Sequence, residues 1–273
     1  MKDVNWMNAD VKSFIYELKD RELSTNTIES YEYALRLYFE RYNEISKENM
    51  LDFKNFLIEK YKSKTAACRI TTMNLFCDFI DKPKSKVRQL KIQDSFYISN
   101  VISKEEYGKI LNYCLEKNKI KLYWIVKFLA CTGCRVNELV KLNYSCLLNY
   151  NQTLHSKGKE RFIIIPKNIA DEARKYFGEK NPNDALFVNK YGERITTRGI
   201  SELLKQFEDL GIRKEVLHPH SFRHFFALNL LEKSGDIVLV SSLLGHSGLN
   251  TTNIYLKKSK EEREKEFNKV ISW

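Results

Sequence analysis

Residues 218–255 read HPHSFRHFFALNLLEKSGDIVLVSSLLGHSGLNTTNIY, and their punctuation predicts the architecture of the chain's end. Pro219 suits a first helical turn, where no intrahelical partner is lost for want of an N–H. The helix it opens should stop near Gly235, because glycine accepts the left-handed conformation of a C-cap. A second, shorter helix should close at Gly245. His246 follows at once, and Tyr255 lies nine residues further on, across a polar bridge. The spacing predicts two helices separated by a short connection, with a histidine at the end of one and a tyrosine on the next.

The charge of the chain gives those residues a context. Its 273 residues carry 46 Lys+Arg against 35 Asp+Glu, a net charge of +11. Up to Asn100 there are 17 basic and 15 acidic side chains, so the remaining 29 basic and 20 acidic hold most of the excess. Such a bias attracts a polyanion, nucleic acid foremost. A hydrophobic content of 43% supplies real cores and argues against disorder. No apolar run is long enough to span a bilayer, and the start, MKDVNWMNADVK, lacks a secretory signal. A cytoplasmic protein without membrane partners is expected. Six cysteines, mostly inside apolar helical patterns, read as small buried hydrophobes. Cys131 and Cys134 have CxxC spacing, yet no second ligand pair accompanies them, so no metal site is assigned.

Working back towards the first residue, amphipathic helices follow one another. Val11, Phe14, Ile15 and Leu18 form an i, i+3, i+4, i+7 stripe. Ile28, Tyr31, Leu35 and Tyr38 repeat it after possible caps at Ser24 to Asn26. Met50, Phe53 and Leu57 follow Ser46, and Ile70, Met73, Phe76 and Ile80 make a fourth set. These predict a four-helix bundle. Asp81 to Asn100 then has the composition of a basic linker, and a capping box, Ser103 to Glu106, opens the next helix. The expected division is a helical core-binding domain over 1–90, a linker over 91–102 and a second domain over 103–273 with a tail from about 258. That second domain should be mainly helical apart from one β-hairpin within Thr153 to Pro166, where a polar turn precedes the run Ile163 to Ile165. A further helix is expected from about Thr197 to Leu210, stopped by Gly211.

If the polyanion is cut as well as bound, the chemistry sets requirements. The non-bridging phosphate oxygens need fixed cations, a nucleophile must attack in line, and the leaving oxygen needs a proton. Arginine meets the first need with a planar, permanently charged fork. Tyrosine can be a covalent nucleophile, and lysine or histidine can supply the proton.

Three segments carry these residue types together: TGCRVNEL (132–139), HPHSFRHFFA (218–227) and LLGHSGLNTTNIY (243–255). Their order, the HxxR pattern and the histidine-to-tyrosine spacing resemble the tyrosine recombinases of the Xer and phage-integrase type. The resemblance covers the whole second part, and the first part is similar to the family's core-binding domain. It implies that Arg135 and Arg223 clamp the scissile phosphate, with Glu138 buttressing Arg135. His220 would sit beside the phosphate in an acid–base or hydrogen-bonding role, and His246 would bond a non-bridging oxygen. Tyr255 would attack phosphorus to form a 3′-phosphotyrosyl link, and Lys157 in the hairpin would protonate the departing 5′ oxygen. The family's hairpin commonly reads GKGxKxR; here SKGKER has Ser156 for the first glycine and is one residue shorter, which leaves Lys159 as the alternative proton donor. His224 is assigned to packing.

The resemblance also implies double-stranded DNA with an inverted-repeat core site as partner, a dimer on each site and a tetramer in the synapse. No cofactor, ATP or metal is implied. The two domains would close around the duplex, with Lys82, Lys84, Lys86, Arg88 and Lys91 supplying backbone contacts. The apolar end Phe267 to Trp273 would dock on a neighbouring protomer. Two other classes share part of this signature: a type IB topoisomerase-like enzyme, and a DNA-binding regulator without catalysis.

Overall fold

Short polar side chains fix the helix starts. Asn8 accepts from the amide of Val11 at 2.9 Å, Ser24 from Thr27 at 3.2 Å and Ser46 from Asn49 at 3.1 Å. Each satisfies one amide that the helix leaves unpaired. The helices so opened are α1 (Ala9–Asp20), α2 (Thr25–Phe39) and α3 (Lys47–Lys60); α4 (Ser63–Phe79) completes the set. The computed structural model describes residues 6–92, 100–156, 159–245, 252–256, 268 and 271. The chain divides into two compact units, Met1–Asp94 and Ser95–Trp273.

In the first unit the apolar stripes meet as their spacing predicts. Val11, Phe14, Ile15 and Leu18 are buried, as are Ile28, Leu35, Tyr38, Met50, Phe53, Leu57, Ile70, Met73 and Phe76. Edge-on ring pairs, Phe14 with Phe76 at 5.4 Å and Tyr38 with Phe53 at 5.1 Å, lock the layers. Much of the stretch with linker composition belongs to this unit. Val87 is buried in its core, and its backbone is tied in both directions by Asn74, which donates to the Val87 carbonyl at 2.9 Å and accepts from its amide at 3.0 Å. Of the linker cations, Lys86 is paired with Asp78 at 2.8 Å and Lys82 donates to the Ile45 carbonyl at 3.2 Å. Two of the five expected DNA contacts therefore already have partners within the unit.

The second unit is built around α6 (Ile120–Thr132), which is apolar nearly all round and buries Leu122, Trp124, Ile125, Val126, Phe128 and Leu129. A helix of that kind must be enclosed. It is flanked by α5 (Lys104–Glu116), which carries the expected Ser103–Glu106 capping box, and by α11 (Pro219–Ser234). Between them come α7 (Val136–Leu139), α8 (Ser145–Asn149), α9 (Lys167–Phe177) and α10 (Thr197–Lys205). The expected helix to Leu210 changes at Gln206 into a 3₁₀ turn before Gly211, whose φ is +68°. After α11 stops at Gly235, α12 (Ile237–Leu244) runs to Gly245; their φ values are +66° and +62°.

The hairpin is present as β1 (Asn151–Ser156) and β2 (Lys159–Ile164), antiparallel, with Asn151 opposite Ile164 and Ser156 opposite Lys159. Its faces alternate: Leu154 and Ile163 are buried, Phe162 and Ile164 about half exposed. β2 lies against α12, which matters for the site. Among the described residues, no helix is long and apolar enough to cross a membrane.

The Asn74 tie makes a prediction. Asn74→Ala removes two hydrogen bonds and should cost the first unit about 1–3 kcal/mol. Hydrogen exchange should show loss of protection at the Val87 amide, with the α2 and α3 amides much less affected.

Candidate active site

Arg223 sits in the first turns of α11 and is 1% exposed. Its guanidinium donates to the Gly133 carbonyl and to the Leu244 carbonyl, both at 2.6 Å. These carbonyls lie at the C-terminal ends of α6 and α12, where helices leave acceptors unpaired and carry partial negative charge. Burial, and then the Arg135 charge, lowers its pKa to about 10, which still leaves it cationic at neutral pH. Gly133 lets the Phe226 ring pack closely at this turn. It adopts φ +61°, and a Cβ there would lie 2.3 Å from the Phe226 ring.

Arg135, two residues after Gly133, is exposed at the start of α7. Glu138 fixes it twice, accepting from its amide at 2.7 Å and from Nη1 at 3.1 Å. The geometry thus places Glu138 against both the backbone and the side chain of Arg135. Only the carboxylate acts as a cap here, since a guanidinium has no acceptor.

Glu138 also faces a third arginine that the sequence reading did not single out. Arg161, on β2, places Nε 3.5 Å from Glu138 Oε1, an ion pair without hydrogen-bond alignment. Its Nη1 donates to the carbonyls of Phe162 at 3.1 Å and Ser242 at 3.5 Å, and its Nη2 to that of Leu243. Arg161 thus joins the hairpin to the end of α12. Its signal in the sequence is the final arginine of the SKGKER segment, whose lysines alone match the expected proton donor. The Gly245 backbone passes so close that a Cβ would lie 2.8 Å from Arg161.

Tyr255 lies in the 3₁₀ turn Asn253–Leu256, 5% exposed, in a small cluster with Ala227, Val240 and Leu244. Burial pushes its phenol up to about 12, while the Arg223 and Arg135 charges pull it down. The hydroxyl is hydrogen-bonded to His224 Nδ1 at 2.9 Å. His224, assigned to packing from the sequence, is therefore the described partner of this phenol. His220 is exposed and stacks edge-on against His224, with centroids 4.7 Å apart. Its pKa is lowered by burial of the ring, then by Arg223, His218 and Arg135. His218 caps α11, its Nδ1 accepting from the Ser221 amide at 3.2 Å.

One cluster of the second unit therefore brings together Arg135, Glu138, His220, Arg223 and Tyr255, with Arg161 and His224 added. Lys157 and His246 lie outside the described residues, as does the side chain of Lys159. Phe267 and Trp273 lie outside them too. Cys134, half of the CxxC pair, is fully buried, and burial pushes its thiol up to about 12.

The sequence model of the phage integrase family matches residues 100–262. The chain belongs to the phage integrase family. Among its relatives, tyrosine recombinase XerD of Oceanobacillus iheyensis is 29% identical over 279 residues, covering 92% of this chain and 94% of that protein. XerD of Listeria monocytogenes is 30% identical, covering 93% and 95%. A crystal structure of lambda integrase residues 75–356, a dimer bound to a core site, superposes with TM-score 0.73 at 17% identity over 92% of this chain and 95% of that one. XerH site-specific recombinase bound to its difH substrate gives 0.67 at 20% identity, over 97% and 89%. These structures share the fold of this tyrosine recombinase family member.

Gly245→Ala tests the contact between α12 and Arg161. An alanine at φ +62° costs about 1–2 kcal/mol, and its Cβ must also displace Arg161. Chemical denaturation should show a loss of at least this size. DNA cleavage should slow as well, since Arg161 ties this turn to Glu138 in the cluster, while DNA affinity holds.

Proposed function

We propose that this chain is a site-specific DNA recombinase that breaks and rejoins strands through a 3′-phosphotyrosyl intermediate. One observation carries the reading: the Tyr255 hydroxyl is held 2.9 Å from His224, the residue after the buried Arg223, and Tyr255 packs with Leu244, whose carbonyl Arg223 bonds. A lone structural tyrosine has no need of two arginines. A nucleophile attacking an anionic phosphodiester needs both, since fixed cations stabilise the charge that accumulates in the transition state.

In this reading Arg135 and Arg223 hold the non-bridging oxygens, and Glu138 keeps Arg135 oriented. His246 adds a hydrogen bond to the phosphate, and His220 stands beside it. Tyr255 Oη attacks phosphorus in line, and Lys157, or Lys159, protonates the 5′ oxygen as it departs. The new ester conserves the energy of the broken one, so a 5′ hydroxyl from a second duplex reseals the strand without ATP. The partner is double-stranded DNA with inverted-repeat arms, bound by a dimer on each site and a tetramer in the synapse, in the cytoplasm. The basic excess makes affinity fall with salt, because phosphate contacts release counterions.

The choice of test variant follows from burial. Arg223→Ala would orphan the Gly133 and Leu244 carbonyls and disturb the fold, whereas Arg135 is exposed and can be removed cleanly. On a nicked suicide duplex, the wild type should form covalent adducts at a defined site. Tyr255→Phe should bind that duplex and form none. Arg135→Ala should cleave about 10²–10³-fold more slowly with little loss of affinity. Adducts without site preference would favour a topoisomerase-like enzyme, and a wild type forming none would favour a regulator.

A further inference from the structure

A phenol that attacks phosphorus must lose its proton to a base within reach of its oxygen. His220 is exposed, and its described ring contact is with His224. His224 touches the reacting atom itself: its Nδ1 lies 2.9 Å from the Tyr255 hydroxyl, and the two rings stand at 60° with centroids 5.5 Å apart. The contact is framed on several sides. His224 is half-buried on α11, one residue after the buried Arg223, with the His220 ring edge-on at 4.7 Å. Tyr255 is packed against Ala227, one turn further along the same helix, and against Val240 and Leu244 of α12. Packing therefore holds donor and acceptor together before any DNA arrives.

We infer that His224 is a catalytic residue, the base that accepts the Tyr255 proton during cleavage and returns it during rejoining. The proposal rests on the reading of Tyr255 as nucleophile. It requires the tautomer of His224 protonated on Nε2, so that Nδ1 accepts from the phenol. In cleavage the phenolic O–H bond breaks, its proton moves to Nδ1, the Tyr255 oxygen bonds to phosphorus, and the bond from phosphorus to the 5′ oxygen breaks. The departing oxygen takes its proton from the hairpin lysine. Rejoining reverses each movement: the incoming 5′ hydroxyl gives its proton to that lysine, and the imidazolium of His224 reprotonates the leaving phenolate. No proton is gained or lost over the cycle. His220 is left beside the phosphate, in a hydrogen-bonding role.

The helix register explains why one histidine of the pair faces the phenol. His220 and His224 are four residues apart, hence neighbours on one face of α11. Of the two, His224 is the one that bonds the phenol.

Single-turnover cleavage of a suicide duplex decides the matter. His224→Asn keeps a polar acceptor near the Nδ1 position but cannot take a proton. It should melt and bind DNA as the wild type does and cleave about 10²–10⁴-fold more slowly. Installing a fluorinated, more acidic tyrosine at position 255 alone should recover most of that loss. A substrate with sulfur in place of the 5′ bridging oxygen, a better leaving group, should not. Three results would overturn the proposal: His224→Asn cleaving at the wild-type rate, a loss that the acidified tyrosine leaves unchanged, or recovery by the sulfur substrate. The second would make His224 a positioning residue, and the third would place it on the leaving-group side. Adduct formation by Tyr255→Phe would instead overturn the assignment of the nucleophile.

Discussion

A buried guanidinium organises the second unit. Arg223 bridges the carbonyls that end α6 and α12, and both helices need what it brings. Their terminal carbonyls lack intrahelical donors, and their dipoles favour a cation. Arg223 in turn could not be buried without such partners, since an unpaired charge in a protein interior is strongly destabilising. One side chain therefore completes two helix ends and draws α6, α11 and α12 to a common point. That point is where the charge is useful for chemistry.

Around this anchor the site is layered by exposure. Arg223 is enclosed, Arg161 and Glu138 are mostly covered, and Arg135 opens to solvent. A carboxylate between two guanidinium groups lets three like charges share a small volume. It also links elements distant in sequence: Glu138 on α7 meets Arg161 on β2, which holds the last turn of α12. The hairpin and the segment leading to His246 are thus coupled through one arginine. Burial raises the pKa of the Tyr255 phenol, and the nearby cations oppose that effect. As the proposed nucleophile, this phenol needs a nearby acceptor to become reactive.

Much of this was legible in the sequence because the signals are local. Glycine stops, serine caps and apolar stripes depend on a few adjacent residues, so α1 to α5, α11 and α12 follow from them. Arg135, Glu138, His220, Arg223 and Tyr255 came from motif register, and the geometry gathers them. What escaped were roles that arise only when distant segments meet. Nothing near Asn74 shows that it will bind Val87 from both sides, so the stretch after Asp81 read as an open linker. Arg161 lay inside a segment searched for a proton donor. Helical spacing placed His224 beside Arg223, but only the turn bearing Tyr255 reveals what it faces. The short helices α7 and α8 left no periodic trace, because four or five residues are too few to show one.

The most direct test is to locate the covalent link. Protein trapped on a suicide duplex, digested with nuclease and trypsin, can be read by mass spectrometry. The account predicts a nucleotide remnant on the peptide from Ser234 to Lys257, at Tyr255. A remnant on any of the other tyrosines, with the Tyr255 peptide unmodified, would contradict it.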